Sequence, residues 1–308
     1  MAYDDKKSNR KTSLDNDELL EEAKKNFALC EEYYSEMYYD GEEDQEFLYG
    51  INQWSDKDVA KRNSECRPSL VLNQLLPFAH QVINDIKQAR PAIRVSPVDE
   101  KADIGTAEVF QGIIRNIERQ SNANIAYDTA AMNSVGAGVG WIRITTDYAD
   151  EMSFDQEISI DRVMNFQSVY IDPQSQTLNG SDMEYAFVFD DLTTEVFERN
   201  YPDAEMVSFE GGNDEWQTED TVRVAEYFYR DYTEREIILT DNGVITRDEA
   251  NLLEEQGIPF EEIESRKTQL PIVKHCILSG SEILEENEWV GKYIPLVPVF
   301  GEECWLEG

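Results

Sequence analysis

The chain has 308 residues, enough for one large domain or two ordinary ones, and 41% of them are hydrophobic, too many for a disordered protein. Its 64 Asp and Glu residues against 27 Lys and Arg give a net charge of −37, so a protein that grips nucleic-acid phosphates is not expected. No apolar run reaches the roughly 20 residues of a transmembrane helix, and the polar N-terminus lacks the apolar core of a secretory signal. We therefore expect a soluble protein that is made and kept in a cytoplasm. The high acidity could also have no role other than to keep the protein soluble.

The first part of the chain is predicted to be helical after a flexible tail at residues 1–14. Apolar residues at spacings of three and four predict a helix from about Asp15 to Tyr39, which Gly41 would end, and a second acidic helix at about 42–49.

Two tyrosine pairs, Tyr33–Tyr34 and Tyr38–Tyr39, give the first helix a wide aromatic face. Such a face either packs inside its own domain or contacts another subunit, and the sequence leaves both open.

Three more helices are predicted, at 73–88, at 99–121 through Ala107, Phe110, Ile114 and Ile117, and from Asn124 to Val135. The alternating stretch at 92–98 predicts a short strand. The small residues of the last helix, Ala126, Ala130 and Ala131, would permit close helix packing.

The character changes to strands from Gly136 onward. Strands are predicted at 140–148, 156–163, 168–173, 184–192, 221–232, 235–240 and 267–280, with an extended stretch at 293–301, short helices at about 194–200 and 247–256, and a turn at Asp241-Asn242-Gly243. A helical part at 15–135 followed by a mostly antiparallel β part at 136–308 indicates an α+β fold rather than an alternating α/β enzyme.

A glycine-rich stretch, Gly136, Gly138 and Gly140, lies where the helical part meets the strands. A dinucleotide-binding loop follows a strand and opens a helix, so that the helix N-terminus faces the phosphates. Here the helix comes first and the strand second, and a helix C-terminus repels phosphate. We therefore interpret the glycines as a C-cap and a tight helix-to-strand turn.

The residues that usually bind zinc are few and scattered. The histidines are His80 and His275, and the cysteines are Cys30, Cys66, Cys276 and Cys304. Without a C-x-x-C pair they do not complete a zinc site, so all four cysteines are expected to be reduced packing residues, and His80 a partly buried one.

Acidic pairs such as Asp190-Asp191 occur by chance in so acidic a chain, and there is no G-x-S-x-G. The loop at 209–220 could hold calcium loosely but lacks EF-hand spacing, so a surface loop is favoured. We predict no catalytic, cofactor-binding or metal-binding residues and no cofactor. A carboxylate-dependent, metal-assisted hydrolase remains the alternative, since converging acids would not show in the sequence.

An ordered set of features carries a resemblance to a known family. It comprises Trp54, Arg67-Pro68, Leu70–Asn73, Arg90–Pro97, Arg115–Ser121, Val135–Ile144 with Asp147-Tyr148, Gln156–Ile160, Val169–Pro173, Val222–Tyr229 with Glu226, and Trp289 with Tyr293–Pro298. In this order the features resemble the N-terminal half of the portal proteins of tailed bacteriophages of the short-tailed type, over roughly residues 20 to 300.

The resemblance implies a structural, non-enzymatic subunit of a ring, usually a dodecamer, at one vertex of the phage head. Such a ring takes part in capsid assembly with coat and scaffolding proteins, docks the terminase large subunit, and later carries tail or head-completion proteins. DNA is packaged and ejected through its channel without sequence-specific binding. The implied location is the virion, after assembly in the host cytoplasm, with no membrane contact.

The resemblance also implies that this chain corresponds to the outward-projecting wing. The stem, clip and crown of the family do not appear in the sequence, which we interpret as a truncation. An acidic DNA-mimic inhibitor is a third alternative, although mimicry would need only a small fold.

Overall fold

The computed structural model describes residues 16–89, 92–97, 104–150, 152–202, 204, 221–240, 243–280 and 282–302. The helices are α1 (Asn16–Tyr49), α2 (Asp56–Ser64), α3 (Leu76–Gln88), α4 (Ile104–Gln120), α5 (Ala123–Ala137), α6 (Thr194–Asn200) and α7 (Arg247–Glu255). The strands are β1 (Val139–Tyr148), β2 (Gln156–Arg162), β3 (Val169–Ile171), β4 (Tyr185–Thr193), β5 (Thr221–Thr240), β6 (Gly243–Thr246), β7 (Glu262–Leu278), β8 (Ile283–Trp289) and β9 (Leu296–Phe300). The α+β prediction is confirmed.

The described residues form two compact units. The large-sheet unit contains those of 16–28 and 184–294, and the helix-rich unit contains those of 29–183 and 295–302. Among the helices of the described ranges, none is both long and apolar enough to cross a bilayer.

The large-sheet unit is built on antiparallel strands in the order β4-β5-β7-β8, with β6 paired to the far part of β5. Because side chains alternate along a strand, each face of the sheet has its own partner. Phe187 and Phe189 of β4 meet Phe27 of α1 edge-on on one face, at ring-centroid distances of 5.7 and 5.1 Å. Val222 and Val224 pack on Phe197 of α6. The sheet is thus covered by a helix on each side.

Helix α5 organises the helix-rich unit. It packs on the sheet β2-β1-β9 and against α3 and α4. The predicted close packing through small residues is confirmed, because Ala126, Ala130 and Ala131 are all buried. Trp141 of β1 is fully buried and donates its Nε1–H to the carbonyl oxygen of Phe166 over 2.9 Å.

The glycines at the α5–β1 junction act as the sequence predicted, although the helix ends two residues later. Helix α5 continues through Gly136, and Gly138 ends it with a left-handed φ of 85°. Gly140 faces the backbone of α5, since a Cβ there would lie 2.0 Å from the Ala130 carbonyl oxygen. The junction is therefore a C-cap followed by a close helix–strand contact.

The prediction that Gly41 ends the first helix is wrong. Helix α1 runs through it to Tyr49 and merges the two predicted helices into one. A Cβ on Gly41 would meet Ala137 and Phe166 at 3.1–3.2 Å, so the glycine permits a close approach to α5 instead of a stop.

The predicted strand at 92–98 is also wrong, because residues 92–97 form no strand ladder with any residue that the structure describes. The sequence missed α2 and β8, and it divided β5 in two. Residues 1–14 and 209–220, and two residues of the turn before Gly243, lie outside the described ranges.

The packing of Gly140 generates a prediction. Gly140→Ala should lower the free energy of unfolding by about 1–3 kcal/mol, because the new methyl group overlaps backbone atoms that cannot move aside. Urea unfolding followed by tryptophan fluorescence measures the effect.

Gly112→Ala is the matched control. Gly112 lies within α4, and no atom lies within 4 Å of the position that a Cβ would take, so alanine should leave stability unchanged or raise it by up to about 1 kcal/mol. Equal effects of the two substitutions would contradict the packing argument.

Candidate protein-contact surface

The α5–β1 junction offers no phosphate cradle. The backbone N–H of Gly138 donates to the carbonyl oxygen of Ser134 over 3.1 Å, and its own carbonyl accepts from the N–H of Gly301 over 2.9 Å. The junction therefore presents a helix C-terminus whose polar groups are already paired, which favours a structural role.

The buried thiols are packing residues, as predicted. Cys30 donates to the carbonyl oxygen of Ile171, and Cys276 to that of Tyr227, at sulfur–oxygen distances of 3.3 and 3.7 Å. Burial, with a smaller contribution from Glu286, raises the pKa of Cys276 to about 12. A thiol with so high a pKa is a poor nucleophile.

Cys66 does not fit that prediction. It is exposed and has a left-handed φ of 55°, so it is a surface thiol in a turn after α2. Cys304 lies outside the described residues.

The two histidines occupy different environments. His80 is exposed on α3, so the prediction that it is partly buried is wrong. His275 of β7 stacks on Phe228 at 4.6 Å, and its Nε2 lies 3.2 Å from a carboxylate oxygen of Glu226. This pair joins neighbouring strands on a sheet face.

Carboxylates do not converge into a metal site within the described ranges, where no group of three or more His, Cys, Asp or Glu side chains is placed to hold an ion. One member of the acidic pair Asp190-Asp191 forms an ion pair within the sheet, because Asp191 accepts a hydrogen bond from the Arg223 guanidinium over 2.8 Å.

Asp182 organises the loop between β3 and β4. Its carboxylate accepts from the hydroxyls of Ser175 and Thr177 over 2.6 and 2.5 Å, and from the N–H of Gln176 over 2.7 Å. Partial burial alone would raise the pKa of Asp182, but these hydrogen bonds outweigh it and hold the pKa well below its usual range. All of its partners belong to the loop itself, so we assign the carboxylate a structural role.

The aromatic face of α1 divides between the two interpretations. Tyr34 and Tyr38 are buried and stack at 5.4 Å, and Tyr38 donates a hydrogen bond to the carbonyl oxygen of Val169. Burial raises the pKa of both phenols. Tyr33 and Tyr39 are 61% and 62% exposed, so half of the aromatic surface is available to another molecule.

Many apolar side chains are exposed on α3 and on the segment that precedes it. The segment at 55–97 buries only Ala79 and Ile83 among its described residues. The exposed members are Leu70, Val71, Leu72, Leu75, Phe78, Val82, Ile86 and Ile93. In α3 they recur at spacings of three and four, which places them in a stripe beside the buried one. Phe78 is 66% exposed and Leu72 is 82% exposed.

Helix α4 repeats this arrangement. Ile104, Val109, Phe110 and Ile113 are exposed, whereas Ile114 and Ile117 are half-buried. The prediction that Phe110 lies on the packed face is therefore wrong. Monomeric soluble proteins rarely leave such apolar helix faces open, and they mark surfaces for contact with another protein.

The sequence found these amphipathic helices but did not show that their apolar faces stay partly uncovered. A signal was present, because the apolar stripes of α3 and α4 are wider than one packed neighbour requires.

Two comparisons with known proteins gave matches. A family model described as Phage P22-like portal protein matches residues 24–308. A portal protein of Acyrthosiphon pisum secondary endosymbiont phage 1 is 24% identical over 263 residues, which cover 80% of this chain and 36% of that protein. The chain thus spans about a third of the length of the curated relative.

The Asp182 loop generates a pH prediction. Because the folded pKa of Asp182 lies below the value of about 3.9 in an unfolded chain, its stabilisation is complete above that value and is lost as the pH falls through the folded pKa. Asp182→Asn should lower the urea midpoint at pH 7, and the difference from wild type should shrink below about pH 4. The exposed Asp155 provides the control variant Asp155→Asn, which should do neither.

The three described thiols should differ in reactivity. Iodoacetamide at pH 8 should label Cys66 in the native protein, whereas Cys30 and Cys276 should react only after denaturation, because both are buried. Peptide mass spectrometry measures each site separately. Labelling of native Cys276 as fast as Cys66 would refute the assigned burial.

Proposed function

Because this chain belongs to the Phage P22-like portal protein family, we propose that it supplies the wing portion of a portal subunit, in the ring through which phage DNA is packaged and ejected. The family is structural and non-enzymatic. The single observation that carries the proposal is the family match, which extends over residues 24–308.

The exposed helix faces support a role that depends on assembly. A chain that works alone would be expected to cover Leu72, Phe78 and Phe110, whereas a ring subunit covers such side chains with its neighbours. We propose a ring of identical subunits, with twelve as the expected number, formed by the whole protein of which this chain spans the wing.

The proposed partners follow from that role. They are further copies of the subunit, coat and scaffolding proteins, the terminase large subunit, and tail or head-completion proteins. The proposed site of action is the portal vertex of the virion, with assembly in the host cytoplasm. The wing would comprise the helical part at 15–135 and the β-rich part at 136–308.

The charge of the chain supports passage of DNA without tight binding. With 64 acidic residues against 27 basic ones, its field repels phosphate, so a duplex near such a surface is not held by counterion release. The metal-assisted hydrolase is not proposed, since no observation on the described residues favours it.

Expression of the complete reading frame that contains this chain tests the proposal. Sedimentation velocity and negative-stain electron microscopy should show a closed ring with a central opening. In infected cells, heads formed without the protein should contain no nuclease-protected DNA, and expression in trans should restore packaging. A full-length product that stays monomeric at micromolar concentration, together with normal packaging in its absence, would refute it.

A further inference from the structure

Charge is distributed very unevenly within the helix-rich unit. Residues 29–50 contain eight Asp and Glu and neither Lys nor Arg. Residues 55–97 contain seven Lys and Arg against four Asp and Glu. A chain with a net charge of −37 therefore carries one locally basic segment beside a strongly acidic one.

The acidic segment presents a regular stripe, which we name the acidic stripe. It consists of exposed α1 side chains at spacings of three and four: Leu29, Tyr33, Glu36, Asp40, Glu43 and Phe47. This stripe lies on a different side of the helix from buried Cys30, Tyr34 and Tyr38. Apolar groups stand at both of its ends, and three carboxylates lie between them.

The basic segment carries the complementary chemistry. We name as the basic surface the following of its exposed residues: Lys57 and Lys61 of α2, Arg94, and the apolar residues Leu70, Leu72, Phe78, Val82 and Ile86. The four acidic residues of the segment are exposed as well. Arg62 is held in place, because its guanidinium stacks on Trp54 at 4.2 Å and donates to the carbonyl oxygen of Pro68 over 2.9 Å. The surface is therefore partly preorganised.

Within the described residues, the charges of the two surfaces are not neutralised by ion pairs. Within the described ranges, Glu36 and Asp40 form no ion pair, and neither do Lys57, Lys61 and Arg94. The charges of both surfaces are thus available to a second molecule.

We propose that the basic surface of one copy binds the acidic stripe of the next copy, head to tail. The inference rests on the proposed function, since a ring is what such a contact builds. The two surfaces differ from each other, so every copy offers one of each, and the same contact can repeat from copy to copy until the ring closes.

A second copy fits the observations better than DNA does. Nucleic acid would satisfy the lysines but would leave Leu72, Phe78 and Val82 without apolar partners. The acidic stripe supplies both kinds of group, with carboxylates for the lysines and Leu29, Tyr33 and Phe47 for the apolar side chains. At this surface the contact also replaces the electrostatic repulsion between highly acidic copies with an attraction.

Charge reversal in the full-length protein tests the contact. Glu36→Lys with Asp40→Lys makes the stripe basic, and Lys57→Glu with Lys61→Glu makes the basic surface acidic. Each double variant should raise the concentration for half-maximal assembly, measured by sedimentation velocity, by about tenfold or more. All four residues are exposed, so circular dichroism and the urea midpoint of each monomer should stay unchanged.

Mixing the two double variants tests directly whether the two surfaces meet between copies. One copy then has two basic surfaces and the other has two acidic ones, so only alternating copies have complementary contacts. Equimolar mixing should restore ring formation to within a few-fold of wild type, at concentrations where each variant alone stays largely unassembled.

Matched controls carry the same change of charge on the large-sheet unit. Arg199→Glu with Arg266→Glu, and Glu254→Lys with Glu255→Lys, alter exposed residues outside both surfaces. These variants should assemble as wild type does at physiological salt.

The outcomes separate this inference from the proposed function. If wild type forms rings and the double variants do so equally well, the inference is wrong and the portal role stands. If each variant fails alone and mixing does not restore rings, the two surfaces do not meet between copies, and the inference is again wrong. If wild type itself forms no ring, the proposed function fails first.

Discussion

The helix-rich unit depends on the small side chains of α5. Alanines on several sides of this helix, with Gly136 within it, allow α1, α3, α4 and β1 to approach it directly. Gly41 of α1 meets Ala137, and Gly140 of β1 lies against Ala130, so both neighbours approach at backbone distance. A larger residue at either contact would separate elements that share this one helix. Only Ala79 and Ile83 of α3 and Ala107 of α4 are buried, and most other apolar side chains of these two helices stay exposed.

Acidity and self-association oppose each other in this protein. Copies with a net charge of −37 repel one another at long range, and salt reduces that repulsion only beyond about 8–10 Å. Contacts between copies then need either a large apolar area or a local inversion of charge, and the segment at 55–97 combines both in a chain that is otherwise acidic. Several basic side chains elsewhere form ion pairs within the fold: Arg247 joins Glu236 and Glu262 at 3.0 Å each, and Lys274 pairs with Asp231 over 3.1 Å.

Much of the fold was predictable because local rules agreed with it. Residue spacing and turn chemistry account for the helix-to-strand turn at Gly138, the strands from Trp141 onward and the helix capped at Thr246. The helix end predicted at Gly41 was wrong because, in a sequence, a glycine needed for close packing looks the same as one that ends a helix. Only the position of Ala137 distinguishes the two cases. Residues 92–97 misled because alternation signals a strand only where a neighbour pairs with it. The candidate surface was harder to predict, since Phe78 and Phe110 have the spacing of core residues and their exposure depends on which neighbours reach them.

The long hairpin of β5 and β7 has a mechanical consequence. Strand β4 pairs with β5 only as far as Tyr229, and β8 pairs with β7 only from Val273 onward. Residues 231–236 of β5, roughly 20 Å of strand, form with β7 a two-stranded ribbon, beyond which β6 adds a third strand and leads into α7. Two-stranded ribbons twist more readily than wide sheets. We therefore expect the ribbon to twist more easily than the rest of the sheet, so that a small torsion there displaces α7 sideways, while Arg247 joins Glu236 of β5 to Glu262 of β7.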